Sequence, residues 1–148
     1  MCRLFWSRLA VALAFVLGAG QAGTALAACS KADLAGLWQY YVITYPPAPA
    51  SIFQPTRDPY WHSCTFAIKP DGTINPQNSV CTDQAGQQTK VSGSVENIGG
   101  STCIIHGTYQ LGSLRVSLTR GALSRGKDHI DGAGSSPAGS IVFNATKL

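Results

Sequence analysis

Apolar and polar residues alternate with a period of two in short segments between residues 36 and 147. This is the period of a β-strand with one buried and one exposed face, whereas an amphipathic helix has a period of 3.6. Turn-forming pairs such as Asp71-Gly72 and Gly112-Ser113 recur at intervals of about 8 to 12 residues, a spacing typical of antiparallel strands joined by hairpins. The sequence therefore predicts an all-β fold.

Eight strands are predicted from this alternation. They cover residues 36–45, 60–69, 73–81, 88–97, 102–111, 114–119, 129–133 and 140–147. The third is weakened by Pro76, because proline cannot donate a ladder hydrogen bond. A helical turn is predicted only at residues 30–34, with Ser30 as its cap and Asp33 at the third position. About eight short antiparallel strands favour an up-and-down β-barrel, with a β-sandwich as the alternative.

The first 27 residues have the three parts of a secretory signal peptide. Two arginines precede an apolar run of nine residues at 9–17, and residues 25–27 form an Ala-x-Ala cleavage motif. The apolar run is too short to cross a bilayer, which takes about 20 residues. We therefore expect a secreted or periplasmic protein in which residues 28–148 form a single barrel domain.

Residues 26–29, Leu-Ala-Ala-Cys, leave a second type of cleavage open because they resemble the bacterial lipobox. In that alternative Cys29 is lipidated and the protein is an outer-membrane lipoprotein. The apolar run ends near Leu17, well before the cut, and cleavage after Ala27 leaves an even number of cysteines; both observations favour the free protein. A membrane is expected as a partner only if Cys29 is lipidated.

Net charge excludes one class of partner. Two of the eleven basic residues, Arg3 and Arg8, leave with the signal peptide, so the excess over the seven acidic residues becomes small. The remaining basic residues are scattered along the chain. Because a nucleic-acid binder needs a concentrated positive patch, nucleic acid is not expected as a partner.

Four of the five cysteines, Cys29, Cys64, Cys81 and Cys103, follow the signal peptide. An even number of cysteines in an oxidising compartment predicts disulfides, here two. The turn at residues 70–73 lies midway between Cys64 and Cys81, so an antiparallel hairpin centred there brings these two close together. Cys29 is then left to pair with Cys103.

A metal site is the alternative use of these cysteines. His62-x-Cys64 and Cys103-x-x-His106 have side chains that ligate zinc or copper. The spacing is loose and there is no C-x-x-C pair. Disulfides are therefore favoured, and no metal or other cofactor is expected.

Catalytic motifs are sparse in this chain. The nucleophile motif G-x-S-x-G is absent. His129 and Asp131 have the spacing of a general base with its orienting carboxylate, but a solvated strand face explains them equally well and is favoured. We therefore do not expect an enzyme.

A proline-rich segment at residues 46–59 interrupts the strand pattern. Loops of this length in a small domain are usually functional or disordered. Aromatic residues and one arginine cluster in and around it, and these are the residue types that dominate binding hot spots. The candidate binding residues are Tyr45, Phe53, Arg57, Tyr60 and Trp61.

Residues 33–38, Asp-Leu-Ala-Gly-Leu-Trp, resemble the G-x-W start of calycin-type barrels, the family of lipocalins and avidins. The resemblance implies that Gly36 opens the first strand, that Trp38 plugs the closed end of the barrel, and that the long first loop overhangs the open mouth. The arginine that packs on this tryptophan in lipocalins is not identifiable here. Biotin binding is not carried over, because avidins need further tryptophans and only Trp38 and Trp61 follow the cleavage site.

The chain also resembles small periplasmic inhibitor barrels of bacteria, which have a similar size and a hairpin disulfide. Two binding functions are therefore expected. The first is binding of a small apolar ligand at the barrel mouth under the loop of residues 46–60. The alternative is an envelope protein-binding module, such as a protease or lysozyme inhibitor; a secreted protein without catalytic activity is the remaining possibility.

Overall fold

The structure, a computed structural model, describes residues 29–48, 58–99 and 103–148. These residues form a 3₁₀ helix, Lys31–Leu34, followed by nine strands. The strands are β1 (Gly36–Tyr45), β2 (Tyr60–Ile68), β3 (Thr73–Ile74), β4 (Val80–Asp83), β5 (Gln88–Gly99), β6 (Ile104–Leu111), β7 (Leu114–Leu123), β8 (His129–Ser136) and β9 (Gly139–Lys147). Among the described residues, no helix has the length and apolar character needed to cross a membrane.

The sheet closes on itself because β1 pairs with both β2 and β9. All pairings are antiparallel, and from β5 to β9 each strand lies beside the next one along the chain. The short strands β3 and β4 share one position between β2 and β5. The molecule is therefore a closed up-and-down barrel with eight strand positions, as the alternation of the sequence predicts, and not a sandwich.

The third predicted strand is interrupted in its middle. Between β3 and β4 the pairing with β2 shifts from Ile68 opposite Ile74 to Thr65 opposite Val80. Pro76 lies in this gap and has no N–H to donate. The Ala67 N–H of β2 donates instead to the Ser79 side chain, at 2.9 Å. A buried hydroxyl thus replaces the missing strand partner.

β8 is longer than the seventh predicted strand, which ends at residue 133. β8 continues through Gly134 to Ser136, and only the segment up to Gly139 turns the chain. A Cβ atom at position 134 would collide with the Ser117 carbonyl oxygen of β7. Glycine is therefore needed at position 134 because two strands approach each other closely there, and not because the chain turns. The sixth predicted strand, residues 114–119, likewise extends to Leu123 past a register shift in β7.

The core is made by the inward-facing residues of the alternating strands. On β1 these are Trp38, Tyr40, Val42 and Thr44, all buried. The ring of Tyr40 lies 4.4 Å from that of Phe66, and the ring of Phe66 lies 5.3 Å from that of Tyr109. A closed barrel has one buried side, so the period-two alternation of the sequence becomes one buried and one outward face on these strands.

The 3₁₀ helix covers one end of the barrel. Its Ser30 N–H donates to the Asp33 carboxylate at 2.8 Å, which fixes the predicted helical turn. The Trp38 indole N–H donates to the Leu34 carbonyl at 2.8 Å, and both side chains are fully buried. Gly36 has a φ of +133°, and a Cβ there would lie 2.8 Å from the Lys147 side chain, so only glycine fits.

Both predicted disulfides are present, Cys29–Cys103 and Cys64–Cys81. Cys64 and Cys81 are direct partners on β2 and β4, as a hairpin centred on residues 70–73 requires. Cys29–Cys103 ties the start of the described chain to the segment before β6. Two such bonds indicate an oxidising compartment outside the cytosol.

Candidate functional site

The sequence-predicted binding residues divide between two sides of the barrel wall. Tyr45 and Trp61 project outward and are exposed, whereas Tyr60 faces inward and is partly buried. All three lie where β1 ends and β2 begins. Phe53 and Arg57 lie outside the described residues.

Among the described residues, inward-facing side chains leave little free space in the barrel interior beside Val42 and His62. A cavity of only about 10 Å³ is left between residues of β1, β2, β4, β6, β7 and β9, among them Val42, His62 and Tyr109. This is at the limit for a single water molecule. A drug-sized ligand needs about 300 to 1,000 Å³. The described part of this cavity therefore has no room for such a ligand.

A larger pocket of about 450 Å³ lies at the same end of the barrel, and we call it the loop-end groove. It is lined by Tyr41, Val42, Ile43, Tyr45, Pro59, Tyr60, Trp61 and His62. Its volume falls within the usual range of small-molecule sites, and its lining is mostly aromatic and aliphatic. The sequence-predicted residues Tyr45, Tyr60 and Trp61 all line it.

Three large apolar side chains form a row across the outside of the barrel. Ile43 of β1 pairs with Trp61 of β2 on one side and with Val142 of β9 on the other. Their exposed fractions are 39%, 49% and 42%. Residues directly opposite on antiparallel strands have side chains in contact range, so the row is a continuous apolar strip.

The sequence did not single out Tyr41 and Ile43, which line the groove, or Val142, which lies in the apolar row beside it. Tyr41 and Ile43 share the outward face of β1 with Tyr45, so the period-two pattern already grouped them. The signal was the size of these outward residues, since the outward face of a barrel strand is usually polar. Val142 has no sequence signal that links it to Ile43, because register between the first and last strands is not a local property.

Burial is the main cause of the pKa shifts of the titratable groups at the groove. Burial lowers the pKa of His62 below its usual value, and Asp83, its partner on β4, opposes this in part. Burial also holds the pKa of Tyr109 well above its usual range, with Tyr60 adding to the effect. Burial therefore favours the neutral imidazole of His62 and the neutral phenol of Tyr109, which suits an uncharged ligand.

The His129 and Asp131 side chains pair at 3.1 Å but both are exposed. The nearby Ser124 hydroxyl donates to Asp128 at 2.7 Å and not to the imidazole. A serine held in this way is not activated by His129. Asp131 and His129 therefore form a pair on a solvated strand face.

The alternative metal site is not assembled in this structure. The sulfur atoms of Cys64 and Cys103, which it requires, are both used in disulfides. Within the described ranges, no group of three or more histidine, cysteine or acidic side chains is arranged to hold a metal ion.

No protein-family model, curated protein or solved structure matches this chain. The closed antiparallel barrel is consistent with a small-barrel fold. The likeness of residues 33–38 to the calycin start is not supported by any of these comparisons and stays a resemblance.

Proposed function

We propose that this chain is a secreted or periplasmic binding protein that holds a small apolar ligand in the loop-end groove. The observation that carries the proposal is the contrast between two spaces at one end of the barrel. The groove measures about 450 Å³, whereas the interior cavity beside it measures about 10 Å³. The ligand therefore binds on the outside of the wall, next to the segment that joins β1 to β2.

The chemistry of the groove favours an uncharged ligand. Tyr41, Tyr45 and Trp61 offer ring faces and edges that are between 46% and 56% exposed. Covering them removes apolar surface from water, at a gain of about 25 cal/mol per Å². The phenol hydroxyls of the tyrosines and the imidazole of His62 are available to orient a polar atom of the ligand.

The disulfide of Cys29 supports a protein without a lipid anchor rather than a lipoprotein. Lipidation at the lipobox needs the Cys29 sulfur, and that atom is bonded to Cys103. We therefore propose that cleavage after Ala27 releases the domain without a membrane anchor.

A titration with N-phenyl-1-naphthylamine, a neutral apolar fluorescent probe, tests the proposal. Trp61→Ala removes the largest exposed ring of the groove, and we expect at least an approximately tenfold loss of probe affinity. Gln110→Ala on β6 is the matched control, since Gln110 is also exposed but lies on another part of the barrel. Absence of saturable binding, or equal binding by Trp61→Ala and the control, would contradict the proposal.

An envelope protein is the second candidate for the partner. The small size of the interior cavity beside the groove favours it. So do the exposed Trp61, Tyr41 and Tyr45, because tryptophan and tyrosine dominate protein-binding hot spots. Under this alternative the protein captures a protease, a lysozyme or another envelope protein, and Trp61→Ala abolishes the capture while the apolar probe does not compete.

A further inference from the structure

We propose that a second copy of this chain docks against the outer wall, which we define as the outward-facing residues of β9, β1 and β2. The result is a symmetric dimer whose contact is centred on the row Trp61, Ile43 and Val142. The dimer goes beyond ligand binding and does not depend on it. Its one consequence for the proposed function is that the partner's wall covers the open side of each loop-end groove.

The outer wall carries no charge over its whole extent. Its residues alternate with the buried ones along the three strands. They are Leu37, Gln39, Tyr41, Ile43 and Tyr45 on β1, Trp61, Ser63, Thr65 and Ala67 on β2, and Ser140, Val142, Asn144 and Thr146 on β9. A protein interface core is depleted of charge and enriched in aromatic residues in the same way.

The absence of charge on the outer wall favours a second copy of this chain as the partner. In a dimer with twofold symmetry the same patch lies on both subunits, so a charged residue near the axis would face its own copy. The outer wall avoids this repulsion. Acidic residues lie at its margins. They are Asp131 opposite Asn144 on β8, Asp83 at the end of β4, and Asp58 just before β2.

Three polar residues of the wall, Gln39, Ser63 and Thr65, are already paired with one another. The Gln39 side-chain amide donates to the Ser63 hydroxyl at 2.8 Å, and the Thr65 hydroxyl donates to the Gln39 carbonyl oxygen at 3.3 Å. Burying a polar group is unfavourable chiefly when it loses its hydrogen bonds. This network keeps its bonds when a partner covers it.

The wall is large enough for a stable dimer. β1 has ten residues, so three strands about 4.8 Å apart and about 34 Å long project roughly 500 Å². A biological interface should bury about 1,000 Å² in total, or about 500 Å² on each partner. Closure of the barrel also favours docking through the outer face over pairing of strand edges. β1 and β9 are each paired on both edges, so neither offers a free edge to a strand of the second copy.

Sedimentation equilibrium of the disulfide-bonded protein, starting at residue 28, tests the dimer. We expect a dimer with a Kd in the micromolar range. Val142→Lys places two ammonium groups near the axis without altering any groove-lining residue, and we expect its Kd to rise by a factor of about 100. His106→Lys on β6, an exposed residue on the opposite side of the barrel, is the control and should remain a dimer.

Dilution of the unsubstituted protein gives a second measurement that needs no variant. Trp61 leaves the interface when the dimer dissociates, so its emission should shift to longer wavelength with the same midpoint as sedimentation. A monomer at about 100 µM, far above a micromolar Kd, or a Val142→Lys variant that dimerises like His106→Lys, overturns the inference. Probe binding by a strictly monomeric protein would overturn the dimer alone, and a dimer that binds no probe would overturn only the proposed ligand.

Discussion

Lys147 lies over Trp38 at the end of the barrel covered by the 3₁₀ helix, with its Nζ atom 5.6 Å from the centre of the indole ring. The same ammonium donates to the Asp33 carbonyl at 3.2 Å. The last strand is thereby fastened to both the helix and the first strand. The contact of Lys147 with Trp38 is therefore a cation–π interaction between the last and the first strand of the barrel.

Replacement of Trp38 should destabilise the barrel more than replacement of the other described tryptophan. Trp38→Phe leaves the buried Leu34 carbonyl without its donor and opens a space beneath the helix. We expect a loss of about 2 to 3 kcal/mol in the free energy of unfolding, measured with urea. Trp61→Phe, at an exposed position, should change it by less than about 0.5 kcal/mol. Equal losses would show that the helix-covered end contributes little to stability.

The carboxylate of Asp33 should make stability depend on acid pH. The hydrogen bond from Lys127, at 2.8 Å, holds the pKa of Asp33 below its usual value of 3.8, and the Ser30 N–H adds to this. Since the folded-state pKa is lowered, the stabilisation is present at neutral pH and is lost as the pH falls below about 4. The pair is partly exposed, so we expect less than about 1 kcal/mol.

Asp33→Asn is the variant that reveals this contribution. Its unfolding free energy should lie below that of the unsubstituted protein at pH 7, and the difference should shrink as the pH falls below about 4. Asp58→Asn, at an exposed position before β2, serves as the control. A difference that does not change between pH 7 and pH 3 would contradict the assignment.

The half-buried side chain of His62 should produce a second pH dependence in a higher range. Burial lowers its pKa from 6.5, so the unfolded chain takes up the proton first. The stability contribution is complete above pH 6.5 and decreases as the pH falls from there towards the lowered value. His62→Gln should flatten the stability profile between about pH 7 and pH 5. His106→Gln, on the exposed face of β6, is the matched control.

The two disulfides should differ in their contribution to stability. They close segments with sequence separations of 74 residues for Cys29–Cys103 and 17 residues for Cys64–Cys81. The loop-entropy relation gives about 4.4 kcal/mol for the longer and about 3.1 kcal/mol for the shorter. Paired Cys→Ala variants, compared by urea unfolding, should show the larger loss for Cys29–Cys103. The reverse order would mean that the entropy of the unfolded chain does not determine the difference.

The fold was predictable where its determinants are local. The bounds of β1, the buried faces of the strands, the turn between Cys64 and Cys81 and both disulfides follow from alternation and spacing within a hairpin. The continuation of β8 through Gly134 was not predictable. Glycine is needed there because the Ser117 backbone of a neighbouring strand leaves no room for a Cβ atom. The same residue type signals a turn when only the sequence is considered.

The candidate site was predictable only in part. Tyr45, Tyr60 and Trp61 were found because they flank the proline-rich segment. Ile43 of the groove lies beside Val142 because β9 closes against β1, and this register joins residues from opposite ends of the domain. Sequence pattern reports the face on which a residue lies, whereas barrel closure decides which outward residues become neighbours.

Native mass spectrometry of the protein purified from the secreted or periplasmic fraction of its own host, compared with the denatured spectrum, tests the ligand-binding account most directly. We predict an adduct of about a few hundred daltons, the mass of a ligand that fits such a groove. It should disappear on denaturation and be absent from the Trp61→Ala variant. A bare protein mass under native conditions, unchanged when N-phenyl-1-naphthylamine is added, would contradict the account.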